Sequence, residues 1–291
     1  MLNIAFKRLA AGYAFVLCLL AISGCASISQ FADRTAYADK IADTSGFEKS
    51  FIKTKNFVLT AYYKLRKPSG PLTVYIEGDG LSWISRSKPS GDPTPLHPLV
   101  FRLAAADPSA NIVYLARPGQ YSTSENPECS FVYWTTKRFS EEVISSMNET
   151  VEQFRQKSGS KEVNLIGYSG GAAVAILIAS RRDDVASIRT IAGNLDHKAL
   201  GRYHNVSPLD GSLNPIDVAE AVSRIPQRHF AGENDKQIPV FITKEFAERS
   251  NDKNYSSVTA VKGADHKEGW YEQWPRLLSL PLYSINRQAD R

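Results

Sequence analysis

A serine set between glycines is the feature of this sequence with the clearest chemical potential. It lies at the centre of Gly167-Tyr168-Ser169-Gly170-Gly171, after the apolar residues Val163, Leu165 and Ile166 and before an apolar stretch from Ala172 to Ala179. This pattern predicts a buried strand that turns sharply into a helix. Such a turn, a nucleophile elbow, strains the serine backbone, requires flanking glycines and pushes the hydroxyl out of the sheet. The alternative is a glycine-rich turn in another α/β fold.

A serine of this kind needs a histidine to accept its proton and an acid to orient that histidine. Of the five histidines, His266 is the best candidate because Gly263-Ala264-Asp265-His266-Lys267 directly follows the last predicted strand. A loop at this point can place an imidazole over the carboxyl edge of a parallel sheet. His229 is interpreted as a strand residue, and Asp265 as a solvated or loop-shaping acid.

Two acids compete for the role of orienting the histidine. Asp235 lies in Gly232-Glu233-Asn234-Asp235, just past the next-to-last predicted strand, whereas Asp196 follows the strand after the elbow. Asp235 is preferred, because the chain order Ser169, Asp235, His266 then puts the three groups on loops that follow successive strands. Asp196 stays as the alternative acid.

An oxyanion hole, which stabilises a tetrahedral intermediate, needs two N–H donors. The first is predicted to be the N–H of Gly170, directly after the serine. The second is predicted in Glu77-Gly78-Asp79-Gly80, where the N–H of Asp79 is preferred over that of Gly80. The alternative is an ordinary glycine turn at a strand end. Carboxylates here would oppose an oxyanion unless they point away or bind a polar substrate group.

Strand and helix patterns alternate along the chain around these motifs. A helix is predicted over Glu141 to Gln156, where Val143, Ile144, Met147, Val151 and Phe154 recur at helical spacing. This alternation indicates a mostly parallel sheet covered by helices on both faces. Besides the elbow strand, the predicted strands are Asn56 to Leu65, Leu72 to Ile76, Asn111 to Leu115, Ser187 to Ala192, Gln227 to Ala231 and Ser256 to Val261.

The ordered motifs resemble those of the α/β-hydrolase superfamily of serine hydrolases, over roughly residues 55 to 285. The resemblance rests on residues 167–171, 232–235 and 263–266. It implies the α/β-hydrolase fold with an eight-stranded sheet, acyl-enzyme chemistry, and no cofactor or metal. More narrowly, the chain is similar to bacterial lipobox-bearing hydrolases of unassigned substrate. Residues 77–80 depart from the pattern, since many relatives carry His-Gly at this place.

Residues 1–24 are predicted to be a lipoprotein signal peptide. Lys7 and Arg8 precede an apolar run from Leu9 to Ile22, which is too short to span a hydrocarbon core of about 30 Å as a helix. Small residues before Cys25 resemble the bacterial lipobox, in which the cysteine receives acyl chains such as palmitate and becomes the mature N-terminus. Ordinary secretion is the alternative.

The lipobox predicts a protein of the cell envelope that is attached to a membrane by its N-terminus. Ala26 stands where an aspartate would direct a Gram-negative lipoprotein to the inner membrane, so the resemblance suggests the periplasmic face of the outer membrane. Residues 25–50 are polar and small and are predicted to form a tether, and residues 51–291 to form one catalytic domain.

Charge and cysteine content exclude two classes of protein. The formal net charge of +5 falls to +3 without Lys7 and Arg8, and the remaining cations are interspersed with acids, so no nucleic-acid footprint is predicted. Cys129 alone remains as a thiol after removal of Cys18 and acylation of Cys25, so the sequence has no internal disulfide framework. Cys129 is interpreted as a packing residue.

Two turn-rich segments, residues 81–98 and 194–217, are expected to shape a substrate pocket, and neither is a long apolar lid of the kind that an oil-surface lipase carries. A third region, from Arg117 to Trp134, could contact substrate with its arginine and aromatic residues. The predicted reaction is hydrolysis of a small carboxylic ester or thioester through Ser169. The alternatives are a peptidase or amidase of the same fold and a catalytically silent envelope-binding module.

Overall fold

An eight-stranded sheet forms the centre of the molecule. The computed structural model describes residues 34–121, 129–250 and 255–282. The order across the sheet is β1-β2-β4-β3-β5-β6-β7-β8; β2 is antiparallel to both neighbours and every other pair is parallel. The predicted mostly parallel, eight-stranded sheet is confirmed. Its strands are β1 (Glu48–Lys53), β2 (Val58–Leu65), β3 (Leu72–Ile76), β4 (Asn111–Leu115), β5 (Val163–Tyr168), β6 (Val185–Ile191), β7 (Gln227–Gly232) and β8 (Ser256–Val261).

The register of the central strands brings distant loops to one edge of the sheet. β3 and β5 are parallel neighbours, and Ile76 pairs with Gly167 at their carboxyl ends. The loop after β3 and the serine turn after β5 therefore leave the sheet side by side. β6, β7 and β8 continue in the same direction, so the loops after β7 and β8 open at this edge as well.

Helices cover both faces of the sheet, so the inner strands are buried on both sides. Val74 packs in the core on one face with α3, α4 and α6, and Tyr75 in the core on the other face with α1, α2 and α7. Short 3-10 helices cover residues 131–134 and 215–218. The α-helices are α1 (34–45), α2 (Leu99–Ala106), α3 (Glu141–Ser158), α4 (Gly170–Ala179), α5 (His197–His204), α6 (Val240–Arg249) and α7 (Trp274–Leu278).

α3 and α4 show two ways in which the sequence forms a helix against this sheet. α3 is amphipathic, with acids in its first turn and bases in its last, and ends at Gly159 in the left-handed region. Its five predicted core residues, 143 to 154, are buried as expected. α4 is apolar all round and all of its residues are buried. Neither α4 nor any other helix within the described residues has the length and hydropathy to cross a bilayer.

α1 differs from the tether predicted for residues 25–50. From residue 34 onward this segment is part of the folded domain, and Ala38, Ile41 and Ala42 are buried in the core that contains Tyr62. The reason is spacing, because these three residues lie on one face of a helix and small side chains suffice to pack against aromatic rings. The predicted signal peptide, Cys25 and the rest of the tether lie outside the described residues.

Candidate active site

Ser169 lies in the sharp turn between β5 and α4. Its backbone has φ 51° and ψ −119°, a strained conformation for a residue with a side chain. The flanking glycines are required by close contacts. A Cβ at Gly167 would lie 2.3 Å from the carbonyl oxygen of Gly171, and one at Gly171 would lie 2.2 Å from that of Ile76. The turn therefore has the geometry predicted from the sequence.

The structure brings Ser169, His266 and Asp235 together. The Ser169 Oγ is 3.1 Å from His266 Nε2. On the other side of the ring, His266 Nδ1 is 2.9 Å from Asp235 Oδ2. The second carboxylate oxygen of Asp235 accepts the backbone N–H groups of Gln237 and Ile238, both at 2.8 Å. These contacts fix the carboxylate in its loop and aim it at the imidazole.

The loop that carries His266 is held in place by polar contacts on both sides. Asp265 accepts the N–H groups of Lys267 and Glu268, so it is a loop-shaping acid, and these bonds lower its pKa. The phenol of Tyr168 donates to the carbonyl of His266 at 2.7 Å, and the two rings lie 5.3 Å apart. Sequence reasoning missed Tyr168, because any residue is compatible with its place in the glycine-flanked pattern.

Asp196, the alternative acid, has a different partner set. Its Oδ1 accepts the N–H groups of Lys198 and Ala199, which makes it the N-cap of α5, and also a hydrogen bond from Asn214. Among the described contacts none joins Asp196 to His266. His229 is buried in β7 between Thr190 and Gln227, and burial lowers its pKa to about 3, in agreement with its interpretation as a strand residue.

Asp79, whose N–H is the second oxyanion-hole candidate, lies against Gly170, the first. A Cβ at Gly170 would be 2.0 Å from Asp79 Oδ1. The Asp79 carboxylate is paired with Arg138 at 2.5 Å and with Arg117 at 3.3 Å. Burial alone would raise the pKa of Asp79, but the two guanidinium groups outweigh it and hold the pKa below its usual value. Two cations therefore offset the negative charge that the sequence places at this point.

Arg117 and Tyr121 are buried structural residues rather than the substrate contacts considered for this region. The Arg117 side chain is 4% exposed and binds Asp79 together with the carbonyl of Arg138. Tyr121 is 8% exposed and packs in the aromatic core. The sequence alone could not separate these roles, because an arginine near a strand end is compatible with either.

Gln120 is a buried residue at the site that sequence reasoning did not single out. Its Nε2 donates to the carbonyl of Gly78 at 2.9 Å, and its Oε1 accepts the N–H of Arg117 at 2.9 Å. The carbonyl of Gly78 and the N–H of Asp79 belong to one trans peptide and point in opposite directions. By holding the carbonyl, Gln120 fixes the direction of the Asp79 N–H.

Glu77 holds the preceding peptide of the same loop. One carboxylate oxygen accepts the N–H of Gly78 at 2.8 Å and the other accepts the hydroxyl of Tyr114 at 2.9 Å. The side chain is almost fully buried, and burial raises its pKa to about 7. The loop after β3 is thus clamped by two buried side chains, Glu77 on one peptide and Gln120 on the next.

A cleft of about 940 Å³ opens above Ser169 and His266. Both segments that were expected to shape a pocket contribute to it, residues 81–97 on one bank and 194–209 on the other. The first bank is fixed by Gly80, where φ is +62° and a Cβ would lie 1.9 Å from the carbonyl oxygen of Pro93. Ser169 and His266 therefore both line a large, open depression.

Comparison with solved structures places this architecture among known proteins. An esterase of Pyrococcus furiosus is similar with a TM-score of 0.57 and 15% identity, covering 81% of this chain and 91% of its own. Est1E from Butyrivibrio proteoclasticus has a TM-score of 0.56 and 12% identity, covering 79% and 95%. The acylaminoacyl peptidase of Pyrococcus horikoshii has a TM-score of 0.58 and 14% identity, covering 80% and 41%.

Sequence comparison adds no closer relative. No protein-family model matches the chain, and no curated protein matches it significantly. At the identities found among solved structures, similarity establishes the arrangement of the elements and leaves the reaction to the site itself. The strand order, the position of the serine turn and these structural neighbours agree: the chain has the α/β-hydrolase fold.

Proposed function

We propose that the protein is a serine hydrolase that cleaves a small carboxylic ester or thioester through an acyl-enzyme on Ser169. The observation that carries the proposal is the continuous line of contacts from Ser169 Oγ through the His266 ring to Asp235, at 3.1 and 2.9 Å. A histidine at this distance can accept the hydroxyl proton, and a carboxylate at its other nitrogen selects the required tautomer.

The reaction follows from these contacts. As the Oγ of Ser169 bonds to the substrate carbonyl carbon, its proton passes to His266 Nε2, and the carbonyl becomes an oxyanion. The bond from carbon to the leaving oxygen or sulfur then breaks, and the leaving group takes the proton from His266. A water molecule next attacks the acyl-enzyme, gives a proton to His266, and the Oγ leaves with that proton. Asp235 stabilises the imidazolium in both halves.

The N–H groups of Gly170 and Asp79 are proposed to bind the oxyanion. Gly170 is the first residue of α4, where N–H groups have no partner within the helix. Asp79 belongs to the loop clamped by Gln120. The pairing of the Asp79 carboxylate with Arg117 and Arg138 supports this assignment, because an unpaired carboxylate at this place would oppose the developing charge.

Hydrolysis of an amide is the second candidate. One of the similar structures is a peptidase by name, and the same three side chains cleave amides when the leaving amine is protonated. A panel of p-nitrophenyl esters, thioesters and peptide amides of matched acyl group separates the two. A higher kcat/KM for the amides would replace the esterase assignment with that of an amidase.

A catalytically silent binding module is the alternative from another class. It is disfavoured by the short distance between Ser169 and His266, since a domain without activity has no need to keep this geometry. Incubation with a fluorophosphonate probe tests it directly. We expect labelling of the wild type and none of Ser169→Ala, and equal labelling of both would overturn the serine hydrolase.

We further propose that Cys25 is acylated and attaches the enzyme to the periplasmic face of the outer membrane. The proposal is based on the lipobox-like residues before Cys25 and on Ala26 after it. Metabolic labelling with an alkyne analogue of palmitate should mark the wild type and not Cys25→Ser. Membrane fractionation then tests the location, and recovery with the inner membrane would contradict it.

A further inference from the structure

Exposed apolar side chains are concentrated at the mouth of the cleft. Trp83, Leu96, Val206 and Tyr271 all line the cleft and are exposed. Ile84, which follows Trp83, is 56% exposed. Soluble surfaces seldom gather large apolar groups around one opening unless something covers them.

The most prominent part of this rim is a small hairpin whose tip consists of residues 83–88. Trp83 pairs with Pro89. The Ile84 N–H donates to the carbonyl of Lys88 at 2.9 Å, and the Ser90 N–H to that of Ser82 at 3.0 Å. Every residue from 83 to 88 is exposed. The backbone bonds hold this tip in a defined shape although its side chains project into solvent.

The composition of the 83–88 tip is that of a surface which meets lipid. Its six residues are Trp, Ile, Ser, Arg, Ser and Lys, with two apolar side chains, two cations and no acid. Tryptophan prefers the interface between headgroups and acyl chains. Arginine and lysine are attracted to the anionic headgroups of the same layer.

The N-terminal end of the domain lies on the same loop. Arg34, in the first described turn of α1, donates to Asp92 at 2.8 Å and to the carbonyl of Thr94 at 2.7 Å, directly before the cleft-lining residues 95–97. Arg34 lies only nine positions after Cys25. Fully extended, nine residues reach at most about 32 Å. An anchor at Cys25 therefore holds this bank close to the bilayer.

We propose that the 83–88 tip docks on the bilayer to which Cys25 is attached, so that the mouth of the cleft faces lipid. The inference rests on the proposed acylation of Cys25, and it defines how the proposed hydrolase meets its substrate. Esters that reside at the membrane interface then enter the cleft directly past these apolar side chains. The membrane then covers the exposed apolar side chains of the rim. It lies within the reach of the short segment between Cys25 and Arg34.

Tryptophan fluorescence tests the docking, because Trp83 is the exposed one of the four tryptophans; Trp134, Trp270 and Trp274 are buried. The full-length acylated protein is reconstituted into vesicles of phosphatidylethanolamine and phosphatidylglycerol, with or without acyl chains brominated near the headgroup. We expect brominated lipid to quench a share of emission that corresponds to one tryptophan. Trp83→Phe should remove this quenched share. Ile84→Glu should reduce it.

A matched control places the reporter elsewhere. In the Trp83→Phe background, Phe51→Trp puts a tryptophan on the edge strand β1, at a position that is 47% exposed and does not line the cleft. We expect no quenching of this variant. Equal quenching of both positions would overturn the proposed orientation, and protein that floats with vesicles while Trp83 is unquenched would overturn the docking.

Two readouts in the same samples separate this inference from the proposals on which it rests. Vesicle flotation reports the anchor, and hydrolysis of a soluble p-nitrophenyl ester reports the enzyme. Protein that hydrolyses the ester without floating would overturn the anchor and the docking and leave the hydrolase standing. If Trp83 emission responds to protein concentration and not to brominated lipid, a second copy of the chain covers the rim, which also overturns the docking.

Discussion

Gln120 orients a peptide of the site although it does not contact the reacting atoms. The side chain is completely buried, and it binds the carbonyl of Gly78, on the peptide whose other end is the N–H of Asp79. Loss of this bond would let the peptide rotate and would leave a buried carbonyl without a partner, which is itself costly. At the scale of single residues, the direction of a donor therefore depends on a neighbour that a list of catalytic residues omits.

We expect Gln120→Met to lower kcat by roughly 10- to 100-fold, because loss of an oxyanion-hole donor costs about 10²- to 10³-fold. KM should change by less than about twofold, since the donor acts mainly in the transition state. Steady-state kinetics on a p-nitrophenyl ester measures both. The same substitution at the exposed Gln153 is the control and should alter neither. A change confined to KM would contradict the positioning role.

Glu77 should make stability depend on pH. Its pKa rises from 4.5 to about 7 because it is buried, so the folded state binds the proton more tightly than the unfolded state. The stabilisation is complete below pH 4.5 and is lost as the pH rises through 7. Glu77→Gln has no such loss. The difference in unfolding free energy between Glu77→Gln and the wild type should therefore shift by roughly 2 kcal/mol in favour of the variant as the pH rises from 5 to 8. Urea unfolding at both pH values tests this, and a constant difference would contradict it.

At the scale of elements, the two acids at strand ends have distinct roles that mutation can separate. Asp235→Asn keeps an acceptor for the N–H groups of residues 237 and 238 but removes the charge beside His266, and we expect kcat to fall about 10³- to 10⁴-fold. Asp196→Ala should leave kcat unchanged and reduce stability by about 1 to 2 kcal/mol, because α5 loses its N-cap. Kinetics and urea unfolding distinguish the two, and a large loss of kcat in Asp196→Ala would reverse the assignment.

The positions of Ser169, Asp235 and His266 could be predicted from the sequence because each follows a recognisable strand and lies near a glycine. Gln120 could not be, since its partner Gly78 is 42 residues away and becomes a neighbour only through the parallel pairing of β3 with β4. The helix at residues 34–45 could not be predicted from the sequence for a different reason. Its core face consists of small residues among polar ones, a composition that is also typical of a spacer.

At the scale of the whole molecule, Arg34 ties the first described helix to the bank of the cleft. The ion pair with Asp92 is nearly buried, with side chains 9% and 10% exposed. A buried pair that loses one partner is strongly destabilised, whereas an exposed pair contributes little. The N-terminal helix and the bank of the cleft are thus joined by a contact between a helix and a loop.

We expect Arg34→Met to reduce stability by about 3 kcal/mol and to speed hydrogen exchange in residues 81–98, because Asp92 and Thr94 lose their shared donor. Urea unfolding and hydrogen exchange by mass spectrometry measure the two effects. Lys198→Met, which removes the exposed pair with Asp217, is the matched control and should cost less than about 1 kcal/mol. Unchanged exchange in residues 81–98 would show that the pair does not hold the bank.

The hydrogen bond from Tyr168 to the carbonyl of His266 has a consequence for the proposed chemistry. Tyr168 and Ser169 are adjacent in one turn, so the segment that carries the hydroxyl also holds the loop that carries its proton acceptor. We therefore expect the hydroxyl and the imidazole to keep their separation when the surface loops move. The serine turn and the histidine loop then act as one rigid unit. The effective concentration of the imidazole at the hydroxyl keeps the high value that is typical of an intramolecular reaction.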